Sequence, residues 1–254
     1  MRILLTNDDG YHAEGLAVLE RLARVFSDDI TIVAPSEEQS GKGRSLTLTE
    51  PVRVRRYADK RYSVSGTPTD AVMIALAEIM TDAPPDVILS GVNRGANLGE
   101  DVFYSGTVGA AMEGALAGIR SIAISQRCGD ERSGNHTTFD AAETWGERVL
   151  RPLLGVGLDR GTLLNVNFPP IPPDQIEGVR VVRQGLRDYG RVKLTKRNDP
   201  RGFPYYWMGL GRVEHTPVAE TDLEAIELSY VTVTPLQMDL THRDSIGIIN
   251  AAYR

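Results

Sequence analysis

Residues 1–10 read MRILLTNDDG, an apolar run that ends in a short polar turn. The apolar residues from Ile3 to Leu5 indicate a strand buried on both faces, and NDDG at positions 7–10 is typical of the turn that follows such a strand. Apolar residues then recur at helical spacing between Glu14 and Phe26. Residues 30–35 (ITIVAP) return to strand composition. Together these segments predict a βαβ unit.

The same alternation continues along the chain. We expect a helix at about 69–80, a strand at 87–89, a glycine-rich loop, a helix at about 108–117 and a strand at 121–124. Strands that alternate with helices predict an α/β fold with a Rossmann-like, doubly wound, mostly parallel sheet, whose ligands gather at the carboxyl ends of the strands. Residues 1–168 are predicted to form the catalytic core.

The sequence changes character after Phe168. Prolines interrupt residues 169–173, and residues 185–216 contain several glycines and prolines together with the aromatic residues Phe203, Tyr205, Tyr206 and Trp207. We interpret residues 169–254 as a C-terminal extension, with a β-hairpin arm for oligomerisation and a strand or helix that returns to the core. Exposed aromatic side chains on an arm favour packing against a second subunit.

Composition narrows the functional classes. The chain has 254 residues and a formal net charge of -6, which argues against a broad surface for duplex nucleic acid. Cys128 is the sole cysteine, so no intrachain disulfide forms and a reducing compartment is expected. No apolar run approaches the roughly 18 residues of a membrane span, and the N-terminus lacks a signal-peptide core. We therefore expect a cytoplasmic protein with no membrane partner.

Asp8 and Asp9 are the clearest candidate functional residues. Two adjacent carboxylates just past a strand repel each other, and a bound divalent cation relieves that repulsion. The alternative is a polar turn in which one aspartate caps the helix that begins near Glu14. Spacing alone does not separate the two interpretations.

Three further polar loops follow predicted strands. The loop at 36–45 contains Ser40, which offers a hydroxyl to a metal, and the loop at 90–99 contains Asn93 and Asn97, whose amides suit a cation or a phosphate. Residues 105–107 (SGT) open a helix, and free N–H groups at a helix start bind anions. The structural alternatives are a solvated loop, a plain Asn–Gly turn and a Ser or Thr helix cap.

In combination, these segments resemble the SurE family of survival-protein nucleotidases. The resemblance spans nearly the whole chain, in family order, and is carried by RILLTNDDGY (2–11), AP (34–35), SG (40–41), GTPTD (66–70), SGVN (90–93), NLG (97–99), YSGT (104–107), NVN (165–167) and DPRG (199–202). It is more specific than any single loop.

The resemblance implies a 5′/3′-nucleotidase that acts on nucleoside monophosphates. One divalent cation per subunit, Mg²⁺ or Mn²⁺, would be held by a set of oxygen ligands, namely Asp8, Asp9, Ser40 and Asn93. The two aspartates would be the catalytic residues. The phosphate would bind Asn97, Ser105, Gly106 and Thr107. A homodimer or homotetramer assembled through the C-terminal arm is also implied.

Two other interpretations stay open at this point. The first is an aspartyl-phosphate phosphatase, although that chemistry commonly pairs its nucleophile with an aspartate two residues along, whereas Asp8 and Asp9 are adjacent. The second is a nucleotide-binding protein without turnover, because a Rossmann-like sheet does not by itself imply catalysis.

Overall fold

The computed structural model describes residues 1–129, 138–187, 192–210 and 217–253. Its described strands form a nine-stranded sheet and a separate two-stranded hairpin. The strands are β1 (Ile3–Thr6), β2 (Ile30–Pro35), β3 (Val54–Ala58), β4 (Arg61–Val64), β5 (Val87–Arg94), β6 (Arg120–Gln126), β7 (Thr162–Phe168), β8 (Gly178–Val181), β9 (Val192–Asn198), β10 (Pro204–Leu210) and β11 (Tyr230–Gln237). The large sheet has the order β3-β4-β2-β1-β5-β6-β7-β11-β8, with β9 and β10 in the hairpin.

Six α-helices lie in the described part of the chain. They are α1 (Glu14–Arg24), α2 (Pro68–Ile74), α3 (Gly106–Leu116), α4 (Asp140–Gly155), α5 (Asp222–Glu227) and α6 (Arg243–Ala251). A π-helical turn, Ala75–Ile79, extends α2, and a 3₁₀ turn, Gly99–Phe103, precedes α3. None of the described helices combines the length and apolar character needed to cross a bilayer.

The predicted α/β fold is confirmed. Strand β1 lies between β2 and β5, parallel to both, and all four of its residues are buried, as expected for a strand covered by helices on two faces. Thr67 caps α2 with a reciprocal capping box to Asp70, and Pro68 opens the helix. Strands β1, β2, β5 and β6 all run parallel, so their carboxyl ends lie together at one edge of the sheet.

Strand β5 differs from its predicted length. The glycine-rich segment from Ser90 was interpreted as a loop, but the strand continues to Arg94. Its pairing with β6 shifts register between Ser90 and Asn93, and then resumes at Ser125 and Gln126. The glycine pattern thus marks an irregularity inside the strand rather than its end, as glycines in strands often do.

The C-terminal part of the chain contributes to both sheets. Strand β11 runs antiparallel to β7 and parallel to β8, so it inserts between them in the large sheet. Strands β9 and β10 form an antiparallel hairpin within the predicted arm, whose residues 188–191 and 211–216 lie outside the described residues. The division at residue 168 and the role of the arm in assembly stay predictions.

Candidate active site at the carboxyl end of the sheet

Asp8 lies directly after β1 and faces the start of α3. Its side chain is only 4% exposed, and the Thr107 hydroxyl donates a short hydrogen bond to Asp8 Oδ1. The packing is close: a Cβ added to Gly106 would lie 2.8 Å from the Asp8 Cβ. Glycine at this position therefore lets the first turn of α3 approach the carboxylate. The positive end of the helix dipole stabilises a negative charge there.

The environment of the two aspartates opposes their ionisation. Burial, reinforced by repulsion from Asp9 and opposed by the hydrogen bond from Thr107, raises the pKa of Asp8 to about 6. Burial also raises the pKa of Asp9, aided by the nearby charge of Glu38 and opposed by a hydrogen bond from the Arg94 backbone. Perturbed carboxylates that share one site are typical of functional positions.

The loop at 36–45 reaches the aspartates through its backbone. The Gln39 N–H donates to the Asp8 carbonyl at 2.7 Å, and the Gly43 N–H donates to the Tyr104 carbonyl at 2.9 Å. Ser40 is exposed, and its hydroxyl donates to Glu38 Oε1 at 2.9 Å. The loop therefore bridges the end of β1 and the segment that leads into α3.

The end of β5 lies against Asp9. The Arg94 N–H donates to Asp9 Oδ2 at 3.1 Å, which brings the neighbouring residue Asn93 to the same edge. The Asn93 amide nitrogen donates to the Gly95 carbonyl at 2.8 Å. This bond fixes the amide group of Asn93, whose side-chain oxygen is the atom that suits a cation.

The predicted phosphate-binding residues lie at the start of α3 and, in the case of Asn97, beside β6. Ser105 caps α3, because its hydroxyl oxygen accepts from the Val108 N–H at 3.1 Å. The helix-cap alternative is thus observed for Ser105, and its O–H remains a donor. Asn97 is buried, and its side-chain nitrogen donates to Ser125 Oγ at 2.8 Å.

The four polar turns therefore meet around the paired aspartates. Sequence reasoning did not single out Glu38, whose charge acts on Asp9 and whose carboxylate accepts from Ser40. Its signal was weak, because Glu37-Glu38 resembles an ordinary solvated loop. Across the described ranges, no group of three or more His, Cys, Asp or Glu side chains is arranged to hold a metal ion. The predicted ligand set has only two such side chains, the aspartates, and takes its other two ligands from a serine and an asparagine.

The fold and the site define an α/β protein of the Rossmann-like type with a paired-carboxylate centre at the carboxyl edge of its sheet. Residues 3–191 match the family model described as survival protein SurE. The chain belongs to the SurE family.

Full-length relatives support the same assignment. The chain is 62% identical over 254 residues to a protein of Rhizorhabdus wittichii named 5′-nucleotidase SurE, with all of both chains covered. It is 56% identical over 253 residues to the protein of that name from Erythrobacter litoralis, again with both chains fully covered. It also resembles the crystal structure of the SurE protein from Aquifex aeolicus, with a TM-score of 0.85, 38% identity and full coverage of both chains.

Proposed function

We propose that this protein is a 5′/3′-nucleotidase that hydrolyses the phosphate monoester of nucleoside monophosphates. The observation that carries the proposal is the buried Asp8 carboxylate, set beside Asp9 and facing the first turn of α3. The names of the relatives from Rhizorhabdus wittichii and Erythrobacter litoralis support the reaction class. An acyl or hydride transfer would need a different set of groups from the carboxylates, hydroxyls and helix start found here.

The donor set fits a hard divalent cation such as Mg²⁺ or Mn²⁺. Asp8, Asp9, Ser40 and Asn93 offer oxygen atoms only, which such cations prefer. The Asn7 side-chain oxygen is also buried without a hydrogen-bond partner among the described residues, as expected beside an electropositive group. When bound, the cation would supply Lewis-acid activation of the phosphoryl group and of the attacking water.

The residues around this centre have separate tasks. Thr107 orients Asp8 and favours its ionised form through the hydroxyl hydrogen bond. The Ser105 O–H and the N–H groups at the start of α3 would donate to the phosphate oxygens, and Gly106 leaves room for that approach. Asn97 would complete the phosphate contacts. Donors fixed in place before the reaction stabilise the charge on the transferring group.

The exposed hairpin supports a proposal for assembly. Trp207 is 64% exposed and Tyr206 is 54% exposed, on a two-stranded sheet separate from the large one. Aromatic residues are enriched at protein interfaces, where they lose contact with water. We therefore propose a homodimer or homotetramer formed through this arm. The cytoplasmic location stays a prediction.

Phosphate release from AMP, measured with Mn²⁺ or Mg²⁺, tests the function. We expect turnover that a chelator abolishes, and a loss of at least about a hundredfold in Asp8→Asn and Asp9→Asn. The matched control is Asp174→Asn, which makes the same chemical change at an exposed position outside the site. AMP binding without phosphate release would instead favour the non-hydrolytic alternative, and full activity in either site variant would refute the metal assignment.

A further inference from the structure

The backbone of residues 97–99 is held by side chains from distant parts of the chain. Five backbone polar groups of this short segment form six hydrogen bonds with side chains, one of them from an arginine near the base of the arm. The partners are Asn165, Asn167, Gln184, Arg187 and Asp222. A loop normally satisfies such groups with water or with its own turns, so this arrangement is unusual for an active-site loop.

We call the side chains that bind the backbone of residues 97–99 the clamp. Strand β7 provides the first part of it. Asn167 Oδ1 accepts from the Asn97 N–H at 2.8 Å, and the Asn165 side-chain nitrogen donates to the Asn97 carbonyl at 2.7 Å. Asn165, Asn167 and Asn97 are all buried. Each asparagine presents a donor and an acceptor on one side chain, which is what a peptide group requires.

The C-terminal extension provides the second part. The two oxygens of Asp222 accept from the Gly99 N–H at 2.9 Å and from the Gly185 N–H at 2.7 Å. Gln184 donates to the Gly99 carbonyl at 2.9 Å. Arg187 donates to the Leu98 carbonyl at 3.1 Å. Asp222 is fully buried, and a buried carboxylate is retained only where hydrogen bonds compensate its desolvation.

Apolar packing reinforces these hydrogen bonds. Leu98 is 2% exposed and packs against Leu223 and Ile226 of α5, the helix that Asp222 begins. The same segment continues into the 3₁₀ turn and then into Ser105, the cap of α3. Movement of residues 97–99 would therefore displace Asn97 and the 3₁₀ turn that leads to Ser105, while the aspartates stay at the end of β1.

We propose that Asp222 and Gln184 are positioning residues, which act through the backbone of residues 97–99 to place the phosphate-binding side of the active site. The inference rests on the proposed nucleotidase function for its kinetic consequence. It assigns a specific task to the C-terminal extension within its own subunit, separate from assembly. In the described part of the chain, the side chains of Asp222 and Gln184 bind the backbone of Gly99 and Gly185, neither of which is a proposed cation ligand.

The first measurement is amide hydrogen exchange on the intact protein. Asp222→Asn keeps the size of the side chain but removes one of the two acceptors. Exchange of a peptide covering residues 97–101 is expected to accelerate by about tenfold, whereas exchange in α1 stays unchanged. Asp174→Asn is the matched control and should leave both segments as in the parent protein. Gln184→Met, at a half-buried position, repeats the test with a change that the fold tolerates more easily.

The second measurement is steady-state hydrolysis of AMP by the same variants. Misplaced phosphate donors should lower kcat/KM by about tenfold, while the Mn²⁺ concentration for half-maximal activity stays within about twofold of the parent value. A general loss of structure would instead raise exchange in α1 and change the Mn²⁺ requirement as well, and that result would overturn the proposal. So would unchanged exchange at 97–101, or unchanged kcat/KM in both variants. Absence of AMP hydrolysis in the parent protein would refute the nucleotidase function, and the exchange experiment would still decide the clamp.

Discussion

Replacing Asp8 with asparagine is expected to stabilise the metal-free protein at neutral pH while removing its activity. Asparagine resembles the protonated acid in shape and still accepts the hydrogen bond from Thr107. It carries no charge, so it avoids the desolvation that raises the pKa of Asp8 to about 6. A functional charge is therefore held at a cost in stability, as expected at an active site.

The size of the effect follows from the two pKa values of Asp8. The folded protein has a pKa of about 6 for this group and the unfolded chain has the ordinary value of 3.8. This difference corresponds to about 3 kcal/mol of unfolding free energy. Because the pKa is higher in the folded protein, the contribution of the Asp8 carboxyl to the unfolding free energy is fully present below the unfolded pKa. It is lost as the pH rises through about 6. The unfolding free energy of Asp8→Asn should therefore rise relative to that of the parent protein between pH 4 and pH 7, and the difference between the two proteins should level off above that range.

Urea unfolding of both proteins in the presence of a chelator, at several pH values, measures this gain. Asp239→Asn is a control of opposite sign, because hydrogen bonds from Thr241 lower the pKa of the exposed Asp239 to about 2. Asp239→Asn should therefore show no gain in unfolding free energy over the parent protein as the pH rises. An Asp8→Asn variant whose stability parallels that of the parent protein across the whole pH range would refute our account of the Asp8 environment.

Three other outcomes are expected at or near the site and the arm. Thr107→Val removes the donor that lowers the pKa of Asp8, so Mn²⁺ activation at pH 7 should weaken by about tenfold. The control is Thr234→Val, which changes a buried hydroxyl without a partner in the described chain and should leave Mn²⁺ activation unchanged. Gly106→Ala places a methyl group 2.8 Å from the Asp8 Cβ, which is closer than two nonbonded carbon atoms can approach, so kcat/KM should fall at least about tenfold and the melting temperature should fall with it. Normal activity would contradict the close approach. Trp207→Ser should shift the protein toward monomers in sedimentation velocity, since the exposed indole is proposed to lie in the interface. An unchanged sedimentation profile would place the interface elsewhere.

The central part of the fold was accessible from sequence because its signals are local. The apolar run Ile3–Thr6 and the helical spacing of α1 appear within single windows, and the expected strand Ile30–Pro35 has the observed bounds. Parallel strands place their carboxyl ends together, so the nearness of Asp9 to the end of β5 followed from topology. This part of the site needed no knowledge of side-chain packing.

The remaining features depend on contacts between distant residues. The insertion of β11 between β7 and β8 could not be read from an alternating apolar pattern, which is the same for any neighbour. Asp222 was not singled out from the sequence, because nothing in its local pattern marks its bond to Gly99, 123 positions earlier. Thr107 was assigned to the phosphate, whereas its hydroxyl contacts Asp8 in the folded protein. That assignment stays a prediction.

The late position of Asp222 has a consequence for synthesis of the protein. Asp8 and Asp9 precede Asp222 in the chain, so they emerge from the ribosome well before the carboxylate that binds Gly99. A nascent chain that has not yet reached α5 therefore contains every proposed cation ligand and the contacts of Asn165, Asn167 and Gln184 to residues 97–99, but lacks the Asp222 hydrogen bond to Gly99. Such a chain also lacks β11, which pairs with both β7 and β8, so we expect the large sheet and the support for residues 97–99 to be completed together, after the segment that carries the cation ligands.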